Sequence, residues 1–172
     1  MTIKVGDRLP EGNVQEFIEV EGNGCTVGPN TFKVQDIAKG KKIAIFGLPG
    51  AFTPTCSAKH VPGYVAQLDA LRAAGVDEIW CVSVNDAFVM GAWGRDQKTA
   101  GKVRMMADGS ADFTRALGLE QDLSAGGMGV RAKRFSMLVV DGVVKTLNIE
   151  AAGKFEVSDA GTLLGQAQKH RG

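Results

Sequence analysis

An excess of charge of either sign is missing from this sequence: 20 Lys+Arg against 19 Asp+Glu leave a formal net charge of +1. A chain so nearly neutral lacks the basic footprint that holds phosphate backbones or anionic membrane surfaces, so no nucleic-acid partner is expected. Long apolar runs are missing too. The longest, residues 43–48 and 135–140, fall far short of the roughly 18 residues that span a bilayer, so no membrane segment is expected. The opening Met1-Thr2-Ile3-Lys4-Val5-Gly6-Asp7 has neither the basic-then-apolar plan of a secretory leader nor the Arg/Ser-rich plan of a transit peptide. The expectation is a cytoplasmic chain, or one from which an organellar targeting peptide has been removed. Cysteine is scarce. Cys25, Cys56 and Cys81 make an odd count with no CxxC and no Cys/His cluster, which excludes a disulfide framework and a structural zinc site and leaves individual thiol chemistry.

What is there is an ordinary globular composition, 44% hydrophobic and 23% charged over 172 residues, with no repeat and no linker. It reads as one domain, residues 1–172. Residues 41–48, β-branched and aromatic and closed by Pro49-Gly50, read as a central strand buried on both faces. Val61, Tyr64, Val65, Leu68 and Leu71 then recur at helical spacing, ending near Gly75, with Pro62 a kink or a bend near the start. A second strand over 77–84 and a second helix over 88–98, entered through Asn85-Asp86, complete a β-α-β-α succession. A short strand over 103–106 and a short helix over 111–117 follow, the latter capped by Asp108 or Ser110. Residues 134–140 and 143–149 flank Asp141-Gly142, a tight-hairpin signal, and 159–169 reads as a final helix. Strand-like pieces over 13–20 and 30–34 extend the domain at its N-terminus. Parallel βα units followed by a hairpin and a helix predict a thioredoxin-like α/β fold: a mixed central sheet with helices on both faces and an N-terminal extension.

Cys56 lies just beyond the first central strand, in the expected first turn of a helix, where unpaired amide hydrogens and the macrodipole favour an anion. A thiolate there is a nucleophile; the alternative is a small apolar residue on the buried side of the helix. Its neighbours favour the nucleophile. Pro49 and Pro54 shape the turn without donating hydrogens, and Thr53 supplies a hydroxyl that both donates and accepts.

The resulting Pro49-Gly50-Ala51-Phe52-Thr53-Pro54-Thr55-Cys56-Ser57 resembles the peroxidatic motif of the peroxiredoxins, in the form carried by the atypical type II, or peroxiredoxin-5, group. Residues 76–79, 82–90, 106–109 and 134–137 resemble that group as well, so the likeness runs through most of the chain. It implies a thiol-dependent peroxidase that reduces hydrogen peroxide and organic hydroperoxides, with no cofactor and no metal. Cys56 becomes a sulfenic acid, Thr53 hydrogen-bonds the peroxide and Pro49 shields the pocket. The family's arginine from a distant segment is assigned to Arg131, with Arg134, three residues on, as the competing assignment and a solvated basic turn as the bland one. His60, four residues from Cys56, is expected at the pocket rim, with general base as its sharper alternative.

For the return of the sulfenate to thiol, the C-terminal stretch that carries a second cysteine in some type II enzymes has Ser158 here. Cys81, in the second central strand, is the resolving candidate, and Cys25 a weaker one. The favoured route is external: glutathione with glutaredoxin, or thioredoxin. His170 reads as a solvated end. Trp93 and Phe88 read as core residues, and the resemblance implies a homodimer that meets near the active-site loop. The competing function is a peroxide sensor or chaperone-like protein without turnover; a thioredoxin-like disulfide reductase is disfavoured by the missing CxxC.

Overall fold

The computed structural model describes residues 1–22 and 24–170. Its centre is β3 (Lys42–Gly47), buried at all six positions: residues 43–46 have no polar face, and the Lys42 ammonium is satisfied by the carbonyls of Ala74, Ala167 and His170. On one side it pairs in parallel with β4 (Glu78–Ser83), and β4 in turn with β5 (Arg104–Ala107). On the other it pairs antiparallel with β8 (Phe135–Val140), which turns into β9 (Val143–Ile149). The N-terminal hairpin of β1 (Asn13–Ile18) and β2 (Gly28–Lys33) adds to the free side of β5, giving the order β2-β1-β5-β4-β3-β8-β9. This is the expected thioredoxin-like mixed sheet with its N-terminal addition.

Alternation along the strands divides the apolar residues into two cores, one on each face. Ala44, Phe46, Ile79, Cys81 and Leu138 face α2 (Val61–Ala66), α3 (Leu68–Ala73), α4 (Ala87–Gln97) and α6 (Ala160–Lys169). Ile43, Ile45, Trp80, Val82, Phe135, Met137 and Val139 face α1 (Val34–Ala38) and α5 (Asp112–Leu117). Side-chain carboxylates set the entries of α4, α5 and α6. Asp86 accepts from Val89 N at 2.8 Å and Asp159 from Thr162 N at 3.0 Å. Of the two caps expected for α5, Asp108 serves, accepting from Phe113 N, Thr114 N and Thr114 Oγ1. The Asp141-Gly142 turn has φ 47° and 78°, the left-handed pair of a two-residue hairpin.

Two expectations are corrected. The helix read from Val61 to Leu71 is broken at Gln67 (φ −95°, ψ 10°) into α2 and α3. The turn before it, Cys56–His60, is π-wound. Pro62 has no N–H to return to the Ala58 carbonyl, so the α pattern cannot run back through this turn. The glycine-rich stretch also contains a separate small sheet that the sequence did not suggest, β6 (Glu120–Asp122) with β7 (Val130–Ala132).

Gly47 closes β3 because nothing larger fits: a Cβ there would overlap the ring of Phe135, its partner across the ladder. Gly47→Ala should therefore lower stability by about 1–3 kcal/mol, the usual cost of overpacking. Urea unfolding measures it, and adding Phe135→Leu should recover part of the loss.

Candidate active site

The segment leaving β3 is braced before it reaches Cys56. Asn85 Oδ1 accepts from Ala51 N at 3.0 Å and from Ser83 Oγ at 2.7 Å, tying the loop to the end of β4. Phe52 adopts φ 65° and stands 54% exposed, so the loop makes its reversal at a bulky residue in the left-handed region. Helical winding starts at Pro54, and Ser57 N donates back to Thr53 O at 3.0 Å. Thr53 Oγ1 donates to Gly50 O at 2.8 Å. With its proton committed there, the hydroxyl is left to act as an acceptor.

Cys56 is buried at 0% exposure at the start of the π-wound turn. Arg134 Nη2 donates to its sulfur at 3.1 Å, and Arg134 Nη1 lies 2.9 Å from His60 Nδ1. Because a guanidinium only donates, Nδ1 is the acceptor, and the imidazole proton resides on Nε2, 3.0 Å from Ser158 O. Tyr64 Oη donates to that same carbonyl at 3.0 Å. The loop carrying Ser158 is organised by Glu150, whose carboxylate accepts from Glu156 N, Val157 N, Ser158 N and Ser158 Oγ. Burial by itself would raise the Glu150 carboxyl, but the Ser158 hydroxyl and these amides outweigh it and hold the group below its usual range. Burial and the Arg134 charge lower His60 from 6.5 to about 3. Its ring packs against Phe46 at 4.8 Å and Phe155 at 4.9 Å. A permanent cation donating to a desolvated sulfur stabilises negative charge there, and the arrangement suits nucleophilic attack by sulfur.

The structure therefore brings Cys56 together with Arg134, not with Arg131. Arg131 Nη1 donates to Pro49 O at 3.1 Å and its Nε to Met128 O at 2.9 Å, so it pins the loop backbone from β7. The register explains the exchange: Arg134 directly precedes β8 and shares the face of Ser136 and Leu138, which is the face of Cys56, whereas Arg131 belongs to the small sheet. His60 is not at a rim but 1% exposed beneath the site. With one ring nitrogen donating and the other accepting from a cation, it has no free lone pair for a general base. Cys81 sits in the middle of β4, buried on the Cys56 face, its thiol pushed well up by burial. Cys25 is half-buried in the turn joining β1 to β2. Trp93 is core and donates to Ser57 Oγ at 3.0 Å, while Phe88 is 65% exposed beside Phe17. His170 is exposed, though its carbonyl accepts from Lys42 Nζ. Sequence reasoning did not mark Asn85, Glu150 or Tyr64 as site residues; only the adjacency of Arg134 to a strand start offered a usable signal.

A cleft of about 650 Å³ opens beside the site, walled by Pro49, Thr55, Lys59, Lys133, Arg134 and Phe155. Another, of about 630 Å³ between α4, β1 and β5, has no cysteine or histidine in its wall. The redoxin family profile matches residues 4–164. Peroxiredoxin-2B of Arabidopsis thaliana is 47% identical over 94% of this chain and 96% of its own. Reduced Prx3 of Vibrio vulnificus in complex with hydrogen peroxide superposes with a TM-score of 0.89 at 46% identity, covering 96% of this chain and 99% of that one. A Burkholderia cenocepacia protein provisionally named a thioredoxin reductase superposes at 0.95 with 67% identity, covering 96% and 98%.

Arg134→Met should lower the second-order rate of Cys56 with hydrogen peroxide by about 10²–10³-fold, the usual loss on removing a preorganised charge donor. Arg131→Met should cost about tenfold or less; stopped-flow rates for the two variants test the assignment. The folded-state value of about 3 for His60, against 6.5, also fixes a sign. Between those pH values the unfolded chain takes up a proton that the native state refuses. Stability from this residue is fully present above 6.5 and falls as the pH drops, by up to about 1.4 kcal/mol per pH unit. Urea midpoints from pH 7 to 4 should show this slope, reduced in His60→Gln.

Proposed function

This chain belongs to the peroxiredoxin family and is a thiol peroxidase, and on that premise we propose that it reduces hydrogen peroxide and organic hydroperoxides through a Cys56 sulfenic acid. The observation that carries the proposal is the Arg134 guanidinium 3.1 Å from the Cys56 sulfur. The Cys56 thiolate attacks the distal peroxide oxygen: the S–O bond forms, the O–O bond breaks, and the departing hydroxide or alkoxide takes a proton from solvent and leaves as water or alcohol. Arg134 stabilises the charge as it moves from sulfur to oxygen, Thr53 accepts a hydrogen bond from the peroxide, and Pro49 walls the pocket. No prosthetic group or metal enters these steps. The PGAFTPTCS form of the motif supports a reading of the chain as a type II member, and the cytoplasm is the compartment proposed.

Return to thiol is assigned to an external reductant. A glutathione thiolate attacks the sulfenic sulfur and water leaves; a second thiol, from glutathione, glutaredoxin or thioredoxin, then attacks the mixed disulfide and frees Cys56. Lys59, Lys133 and Lys154 on the cleft suit the two carboxylates of glutathione. Cys81, with its thiol pushed up in a central strand, is a poor resolving nucleophile at neutral pH. A dithiol reductase function, as the name of the Burkholderia protein suggests, has no CxxC to work with here. The exposed Phe52 and Phe88 are read as the face of a homodimer.

One equivalent of hydrogen peroxide on the reduced protein, followed by thiol blocking and peptide mass spectrometry, should add a single oxygen at Cys56. Turnover with glutathione and glutaredoxin should vanish in Cys56→Ser and persist in Cys81→Ser. A Cys56–Cys81 linked peptide would replace the external route with an internal one. A single oxidation without turnover would favour a sensor.

A further inference from the structure

The peroxidase chemistry uses one edge of the Arg134 guanidinium, yet the structure devotes several residues to the other. Arg134 Nη1 meets His60 Nδ1 at 2.9 Å, His60 Nε2 meets Ser158 O at 3.0 Å, and Ser158 is held by the Glu150 carboxylate through both its amide and its hydroxyl. Phe155, from the same loop, lies under the guanidinium at 5.8 Å and against the imidazole at 4.9 Å. Without these contacts an arginine side chain has several rotatable bonds and samples many positions, and its charge would face the sulfur for only part of the time.

We propose that His60 is a positioning residue for the peroxidatic thiol: by accepting from Arg134 Nη1 and donating to Ser158 O, it fixes the guanidinium so that Nη2 points at the Cys56 sulfur. The role rests on hydrogen-bond geometry and needs no proton transfer by the imidazole. It fits the electrostatics around the ring. Arg134 and burial oppose a charge on it, while Glu150 and Asp159 favour one, and the balance leaves His60 lowered to about 3. The ring is therefore neutral wherever the enzyme would work, with Nδ1 as a permanent acceptor. Tyr64, whose hydroxyl shares the Ser158 carbonyl, is pushed above its ordinary range by burial and stays neutral as well. Glu150, 8% exposed, sets the loop that presents the carbonyl. Its backbone amide also donates to Arg134 O at 2.9 Å, so the loop grips the arginine from both ends.

The inference rests on the peroxidase reading of Cys56, and the two fail differently: a wild-type protein inert to peroxide removes the reading, whereas a His60 variant that reacts like wild type removes only the inference. The test compares His60→Leu, which can neither donate nor accept, with His60→Gln, which can do both. His60→Leu should lower the stopped-flow rate with hydrogen peroxide about tenfold and move the midpoint of the iodoacetamide pH profile of Cys56 upward. His60→Gln should restore most of both. In an Arg134→Met background His60→Leu should have no further effect on either, because there is no guanidinium left to position. A purely structural role would lower the melting temperature and leave the alkylation midpoint in place, which would overturn the proposal. So would a Gln variant as impaired as Leu, since it would mean the imidazole acts by proton transfer or ring packing. Imidazole ¹⁵N shifts in the intact wild-type protein give a reading that requires no variant to fold: Nδ1 unprotonated and Nε2 protonated from pH 8 to 5 supports the proposal, and the opposite tautomer, or titration within that range, overturns it.

Discussion

A guanidinium aimed at a sulfur that solvent does not reach is the contact on which the rest of the site is arranged. Removing a cation from water is unfavourable unless its donors find acceptors and its faces find cover, and Arg134 meets both conditions within a few residues. Nη2 takes the Cys56 sulfur, Nη1 takes His60, and the Phe155 ring lies beneath the plane. Each partner then needs one of its own. His60 passes its remaining hydrogen to Ser158 O, which keeps the buried imidazole satisfied without a charge. The polar chain ends at Glu150, where three amides and a hydroxyl converge on one carboxylate. Its negative charge is the distant complement of the cation at the sulfur.

The sheet supplies the positions from which these groups act. β3 delivers the loop that carries Thr53 and Cys56, and β8, antiparallel beside it, begins directly after Arg134, so attacking group and charge donor reach the same end of the sheet from adjacent strands. Phe46 stacks on Tyr64 at 4.1 Å with the rings 3° apart and touches His60, fastening the turn after Cys56 to the sheet beneath. Trp93 holds the other flank through Ser57, so rotation of that turn is opposed from two directions.

Much of this was legible in the sequence because local signals coincided with global ones. The apolar run of β3, the Asp141-Gly142 turn and the Asp86 cap each have a short-range physical cause, and each stands where expected. What was not legible depends on pairing across the chain. Arg131 and Arg134 are three residues apart in a basic turn, and nothing in their spacing says that one belongs to a two-stranded flap and the other to the central sheet. Strand parity does distinguish them: with Phe135, Met137 and Val139 on one face, position 134 falls on the other, with Phe46 and Cys56. Glu150 and Ser158 were invisible for a related reason, since a carboxylate that collects amides is recognised only once the loop has closed around it.

The same parity bears on how the oxidised sulfur is recovered. Cys81 pairs with Phe46 across the β3–β4 ladder and lies in the core that contains Cys56, so the two thiols share a face. Proximity in a core is not access. Cys81 belongs to a strand bonded along both edges, to β3 and to β5, and its side chain is fully enclosed. Bridging requires Cα atoms within about 7 Å and matched Cβ directions, and moving a residue held by two ladders toward Cys56 would break backbone hydrogen bonds at the centre of the sheet, each costly to leave unpaired when buried. The turn bearing Cys56 would have to travel instead, and it is the segment that Trp93, Phe46 and Arg134 hold in place. A thiol arriving from the cleft requires no movement of β4: Pro49, Lys59 and Arg134 line that cleft, and Arg134 Nη2 lies 3.1 Å from the sulfur. The arrangement that makes Cys56 reactive thus also favours a reductant from outside the chain.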